Sequence, residues 1–119
     1  MEGSLRLAAP EDPWTEDEGL PRAFASIQKR DGRIVRFDKT KITNAIYKAQ
    51  LSVGQDSINQ AKNLTEIVLV YLRKEIRGAI PTVEGIQDIV ERVLIEAGHA
   101  KVAKSYILYR DKRTRIREA

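Results

Sequence analysis

Apolar side chains recur at helical spacing in four separate runs, each bracketed by residues that start and stop helices. The first run is Ile42, Ala45, Ile46, Ala49 and Val53, entered through Asp38, a short carboxylate suited to an N-cap, and closed by Gly54. It predicts a helix over 39–52 with Ile42, Ile46 and Ala49 facing inward. The second run, Ile58, Ala61, Leu64, Val68, Tyr71, Leu72 and Ile76, lies between the start signal Asp56-Ser57 and Gly78 and predicts a helix over 57–77. The β-branched stretch Ile67-Val68-Leu69-Val70 tolerates a strand, but the long period and the flanking caps favour helix. Ile80-Pro81 breaks the chain and Thr82 is placed to cap a third helix, 83–97, with Val83, Ile86, Ile89, Val90, Val93, Leu94 and Ala97 as its stripe and Gly98 as its stop. The short link to a fourth helix, 100–117, requires the two to pack antiparallel. Val102, Ala103, Tyr106, Ile107 and Arg110 share one side of that helix, and beyond Tyr109 little remains to bury.

Ahead of the helices the period changes to that of strands. Asp31-Gly32 lies between two short segments of mixed β-branched, aromatic and long polar residues, which predicts a two-residue type I′ hairpin with strands over 26–30 and 33–37. The expected fold class is therefore α+β, an N-terminal β-hairpin covering a four-helix bundle over residues 26–117. Residues 1–25 hold three of the four prolines and the acidic cluster Glu11-Asp12-Pro13-Trp14-Thr15-Glu16-Asp17-Glu18, and read as a disordered acidic extension.

Composition narrows the function. The chain has 119 residues and no cysteine, which excludes disulfides, a zinc ribbon and any thiyl or dithiol chemistry. His99 stands alone as the only histidine, so a metal site is not expected. No run approaches the roughly eighteen apolar residues of a membrane span, and residues 1–26 lack the layout of a signal peptide, so a cytoplasmic location is expected. The formal charge of +4 is unevenly spread: residues 1–26 carry −4, 29–41 carry +4 (six basic, two acidic), 42–100 carry −1 and 101–119 carry +5.

The basic hairpin is the candidate chemistry. Successive strand residues face opposite ways, so Lys29 and Arg30 do not share one flat face, but they can grip a compact polyanion from two sides while Lys41 supplies a third cation from the first turn of the next helix. That suits a triphosphate better than a long duplex. From composition alone, a solvated basic ribbon that avoids edge pairing remains an equal reading. Ile27 and Val35, near the hairpin base, suit either a lid over a purine or plain core packing. Thr82 suits either an ordinary cap or a helix N-terminus turned toward an anion.

The run Ile27-Gln28-Lys29-Arg30-Asp31-Gly32-Arg33-Ile34-Val35-Arg36-Phe37-Asp38-Lys39-Thr40-Lys41-Ile42 resembles the opening of the ATP-cone, the nucleotide-binding regulatory module of ribonucleotide reductases and of the repressor of their genes. Val83 to Glu91 and Tyr106 to Arg110 resemble its second half, most of all in anaerobic and cobalamin-dependent reductases. The resemblance implies that Lys29, Arg30 and Lys41 are phosphate ligands, that Ile27 and Val35 lie against the purine, and that Thr82 approaches the nucleotide. Many cones carry an acidic residue where this chain has Val35. Lys112 matches a cone lysine that reaches the phosphates, with Arg110 or Tyr109 as alternatives and solvated helix surface as the competing reading. The effector implied is ATP or dATP, with magnesium carried in on the nucleotide rather than held by protein ligands.

The sequence shows no Walker lysine loop and no catalytic triad, so hydrolysis is not expected. The first functional reading is a regulatory nucleotide sensor, not an enzyme, acting on a ribonucleotide reductase subunit or through self-association, in a free-standing cone or at the front of a longer reductase. The alternative is a small basic nucleic-acid-binding module acting in transcriptional control, against which stand the single aromatic of the basic strands, Phe37, and the lack of a recognition-helix pattern.

Overall fold

In the computed structural model, residues 26–76 and 79–118 are described. Two strands, β1 (Ser26–Gln28) and β2 (Ile34–Arg36), form an antiparallel hairpin followed by four helices, α1 (Lys39–Ser52), α2 (Ile58–Glu75), α3 (Val83–Glu96) and α4 (Ala100–Glu118). The α+β class and the hairpin-plus-four-helix order agree with the sequence reading. The acidic extension 1–25 and the Gly78 stop lie outside the described residues.

The caps fall where the side chains predict. Asp38 accepts from the Thr40 backbone N–H at α1, Ser57 from that of Gln60 at α2, and Thr82 from that of Gly85 at α3. Each satisfies a backbone donor that the first helical turn leaves without a partner. After α3 the chain reverses at Gly98, whose φ of +85° is open to glycine at no steric cost.

The turn of the hairpin departs from the expected type I′. Asp31 does not have positive φ; only Gly32 does, at +93°. The Gly32 N–H donates to the Lys29 carbonyl at 2.9 Å and the Lys29 N–H to the Arg33 carbonyl at 2.8 Å, which makes a three-residue loop, Arg30 to Gly32, with a left-handed glycine at its end. The physical reason lies in the register. A two-residue turn would set Ile27 opposite Arg36 and Val35 opposite Gln28, whereas the observed register pairs Ile27 with Val35. Paired residues share a face, so the extra loop residue puts both apolar side chains on the side that meets the helices. Asp31 then uses its carboxylate on the Arg33 N–H (3.0 Å), a turn bond that needs no positive φ.

The helices pack as a closed ring in which α1 meets α2, α2 meets α3, α3 meets α4 and α4 meets α1. Neighbours run antiparallel all the way round: Thr43 meets Thr65 and Gln50 meets Gln60 between α1 and α2, Tyr71 meets Glu96 and Arg92 meets Glu75 between α2 and α3, Ser52 meets Ser105 and Lys48 lies over Tyr109 between α1 and α4, and the short link between α3 and α4 turns the chain back so that Arg110 reaches Asp88 and Glu91. The core is Ile42, Ile46, Leu64, Val68, Leu69, Leu72, Ile86, Ile89, Val90, Val93, Leu94, Val102 and Tyr106 with small residues between them. Some expected inward positions lie outside it: Ile58, Ala97 and Ile107 are exposed, and Leu69, which the expected stripe of α2 leaves out, is fully buried. Among the described residues no helix is long and apolar enough to cross a membrane.

Antiparallel neighbours make diagonal helices parallel, so α1 and α3 begin at the same end of the bundle. The hairpin closes that end. The Gln28 N–H donates to the Pro81 carbonyl at 2.9 Å, and Gln28 bridges Thr82 in parallel, tying β1 to the start of α3.

Candidate functional site

Between the ribbon and the starts of α1 and α3 lies a cavity of about 210 Å³. Its apolar wall comes from every direction: Ile27, Val35 and Phe37 from the hairpin, Ile42 and Ala45 from α1, Val83, Ile86 and Val90 from α3, and Tyr106 from α4. Lys29, Arg36, Asp38 and Lys41 supply charge, and Gln87 an amide. A second cleft of about 290 Å³, lined by Lys29, Arg30, Asp31, Arg33 and Val83, shares Lys29 and Val83 with the first. One space is mainly apolar, the other is lined by three cations with one aspartate and one valine, and Lys29 belongs to both.

The local structure explains which positive charges remain available. Asp31 is taken up by Arg33, whose Nε lies 2.8 Å from Oδ2; the backbone N–H of Arg33 first, and then its guanidinium, hold the Asp31 carboxyl below the usual range. Asp38 is taken up by Thr40, whose hydroxyl and backbone N–H lie 2.6 and 3.0 Å from Oδ1 and draw its carboxyl down as well. Arg30 faces Glu84 at 3.7 Å, a long contact between half-exposed groups and so a weak one. Lys29 and Lys41 make no ion pair among the described residues. Two helix N-termini add to them: the unpaired N–H groups and partial positive charge of α1 and α3 face the same end.

Ile27, Lys29, Val35 and Lys41, four of the residues singled out from the sequence, line the one cavity, and Arg30 lines the adjoining cleft. Thr82 stands next to Val83, which lines both, with its hydroxyl 2.9 Å from the Gly85 N–H. Gly85 leaves room for that cap, since a Cβ there would come within 3.0 Å of Thr82 Oγ1. Lys112 is exposed on α4 and lines neither space. The two alternatives weighed for it point elsewhere: Arg110 is bound to Asp88 and Glu91, and Tyr109 receives a hydrogen bond from Arg113. Tyr106, Gln87 and Phe37 are lining residues that sequence reasoning did not single out; Tyr106 read as core because its position on the apolar stripe looks the same whether it borders atoms or a hollow.

The family model of the ATP cone domain matches residues 25–115. The chain belongs to the ATP cone family. The cone here is 48% identical over 97 residues to the vitamin B12-dependent ribonucleoside-diphosphate reductase of Thermoplasma acidophilum, an alignment that covers 77% of this chain and 12% of that protein. It is 39% identical over 95 residues to the enzyme of the same name from Mycobacterium tuberculosis, covering 80% of this chain and 13% of the relative. Identity to the ribonucleoside-diphosphate reductase subunit alpha of Chlamydia trachomatis is 36% over 102 residues, 78% of this chain and 10% of the relative. The chain thus spans about an eighth or less of the curated relatives it matches. Cones are regulatory modules that bind ATP or dATP as effectors, and they are not the catalytic part of a reductase.

Proposed function

We propose that this cone binds ATP or dATP at the hairpin end of the bundle, and that occupancy controls the activity or assembly of a ribonucleotide reductase without any chemistry on the nucleotide. The observation that carries this is the junction of an apolar cavity with a cationic cleft through Lys29. At about 210 and 290 Å³, neither alone reaches the roughly 300–1,000 Å³ of a pocket for a drug-sized molecule. A nucleotide needs both, with the purine under Ile27 and Val35 and the triphosphate held by Lys29, Arg30 and Lys41 at the helix starts.

Thr82 contributes through the helix end it caps, and Lys112, exposed on α4 and outside both spaces, takes part only by extending toward the phosphates. Magnesium would arrive on the nucleotide, held largely by phosphate oxygens and water. The nucleic-acid reading loses ground from the ion pairs: Arg33 and Arg115 are spent on Asp31 and Asp111, so the basic stretches offer a duplex less than their count suggests. The partner is a reductase subunit or a second cone.

The test is calorimetric titration of ATP and dATP, with magnesium, into the wild type, Lys29→Ala and Lys41→Ala. A charge-assisted bond is worth about 1.5–3 kcal/mol, so each variant should bind about ten- to a hundredfold more weakly. Equal binding by all three proteins would place the nucleotide elsewhere.

A further inference from the structure

The cavity wall carries only two uncharged polar side chains, Gln87 of α3 and Tyr106 of α4. Neither makes a side-chain hydrogen bond among the described residues. Tyr106 is 5% exposed, and its hydroxyl is not among the fully enclosed atoms that lack a partner, so the oxygen reaches open space although its ring is packed in the core. A phenol that deep normally finds a partner, because burying an unpaired hydroxyl costs free energy. Burial also pushes the Tyr106 phenol well above its usual range, so at neutral pH it stays protonated and can donate. Val35, the hairpin residue over the same space, has nothing polar to offer.

We propose that Gln87 and Tyr106 read the edge of the base and make the cavity selective for adenine over guanine, an inference that rests on the nucleotide reading above. An amide presents a donor and an acceptor side by side, which matches the 6-amino group and N7 of adenine. The corresponding edge of guanine carries two acceptors and leaves the amide oxygen without a proton. The phenol supplies one further donor to a ring nitrogen. Arg36 and Asp38 also border the space, but Asp38 Oδ1 is taken up by Thr40 and the basic side chains meet phosphates common to all triphosphates, which leaves Gln87 and Tyr106 as the uncharged polar groups that tell one purine from another.

The experiment is titration of ATP and GTP into the wild type, Gln87→Met and Tyr106→Phe, with each protein's melting midpoint measured without ligand. Wild type should prefer ATP at least tenfold, and Gln87→Met should bring the two nucleotides to within about threefold of each other. Tyr106→Phe should weaken ATP binding about three- to tenfold while its unliganded midpoint stays level or rises, because the substitution removes a hydroxyl that no protein group holds and keeps the packed ring. A merely structural tyrosine would show the reverse, a lower midpoint with unchanged affinity. Variants that keep both the affinity and the ATP-to-GTP ratio of the wild type would overturn this inference and leave the nucleotide site standing. A wild type that binds neither nucleotide would overturn both.

Discussion

Arg110 offers a quantitative check on how the bundle holds Tyr106 in place. It lies one turn beyond that residue on α4, and its guanidinium reaches across to α3, with Nη1 2.9 Å from Asp88 Oδ1 and 2.6 Å from Glu91 Oε2. The two bonds are unequal in environment. The Arg110 side chain is 20% exposed and that of Glu91 24%, whereas that of Asp88 is 71% exposed. Water screens the Asp88 pair into the range of about 0–1 kcal/mol for surface bridges, so the Glu91 pair dominates at about 1.5–3 kcal/mol. Burial disfavours the charged guanidinium, yet the Arg110 pKa is raised, because the bonds to Glu91 and Asp88 outweigh that cost. Arg110→Met keeps the aliphatic stem and should lower the unfolding free energy by about 2 kcal/mol, or the melting midpoint by roughly 10 °C in a domain of this size. Glu91→Gln should cost most of that amount and Asp88→Asn less than about 0.5 kcal/mol, with urea unfolding as the assay. Raising salt to 1 M should erase the Asp88 effect and spare that of Glu91. A larger loss for Asp88→Asn than for Glu91→Gln would refute the reasoning.

Two further outcomes follow from local geometry. Asp38→Ala removes the α1 cap and should cost about 1 kcal/mol at pH 7. Because the folded Asp38 pKa is depressed below its ordinary 3.8, that contribution is complete above the ordinary value and fades as pH falls through the folded one, so wild type and variant should converge in acid unfolding scans. Gly32→Ala meets no neighbour within 4 Å, so its cost is the backbone alone: at φ +93° about 1–2 kcal/mol, read as a shifted urea midpoint with unchanged slope.

Much of this cone was legible in the chain because the local rules agree with one another. Four apolar periods, three side-chain caps and the stop glycines all point to the same helix boundaries, and the bundle respects them to within a residue or two. The hairpin shows where two rules compete. Asp31-Gly32 alone favours a tight two-residue turn, but the pairing of Ile27 with Val35 over the helices is worth more than the turn preference, and the loop takes in a third residue. The stripe of α2 is legible at Ala61, Leu64, Val68 and Leu72, but Leu69 is not, since Ile67, Val68, Leu69 and Val70 are all apolar and only the packing of the helices decides which of them is buried. Lys29 and Lys41 stand out in a count of charges. That they make no ion pair among the described residues does not, because it depends on Arg33 meeting Asp31 and Thr40 meeting Asp38. The role of Gln87 was least legible, for a glutamine on a helix looks the same facing solvent or a hollow.

The central claim is that the nucleotide sits between the hairpin and the starts of α1 and α3. Amide chemical shifts followed by NMR while ATP and magnesium are added test this most directly. The account predicts that the largest changes fall on residues 27–37, 41–45 and 82–90, and that they saturate together. Changes centred on the outer groove between α1 and α2, around Asn44 and Lys62, or on the basic end of α4 past Arg110, with the hairpin amides unmoved, would contradict it.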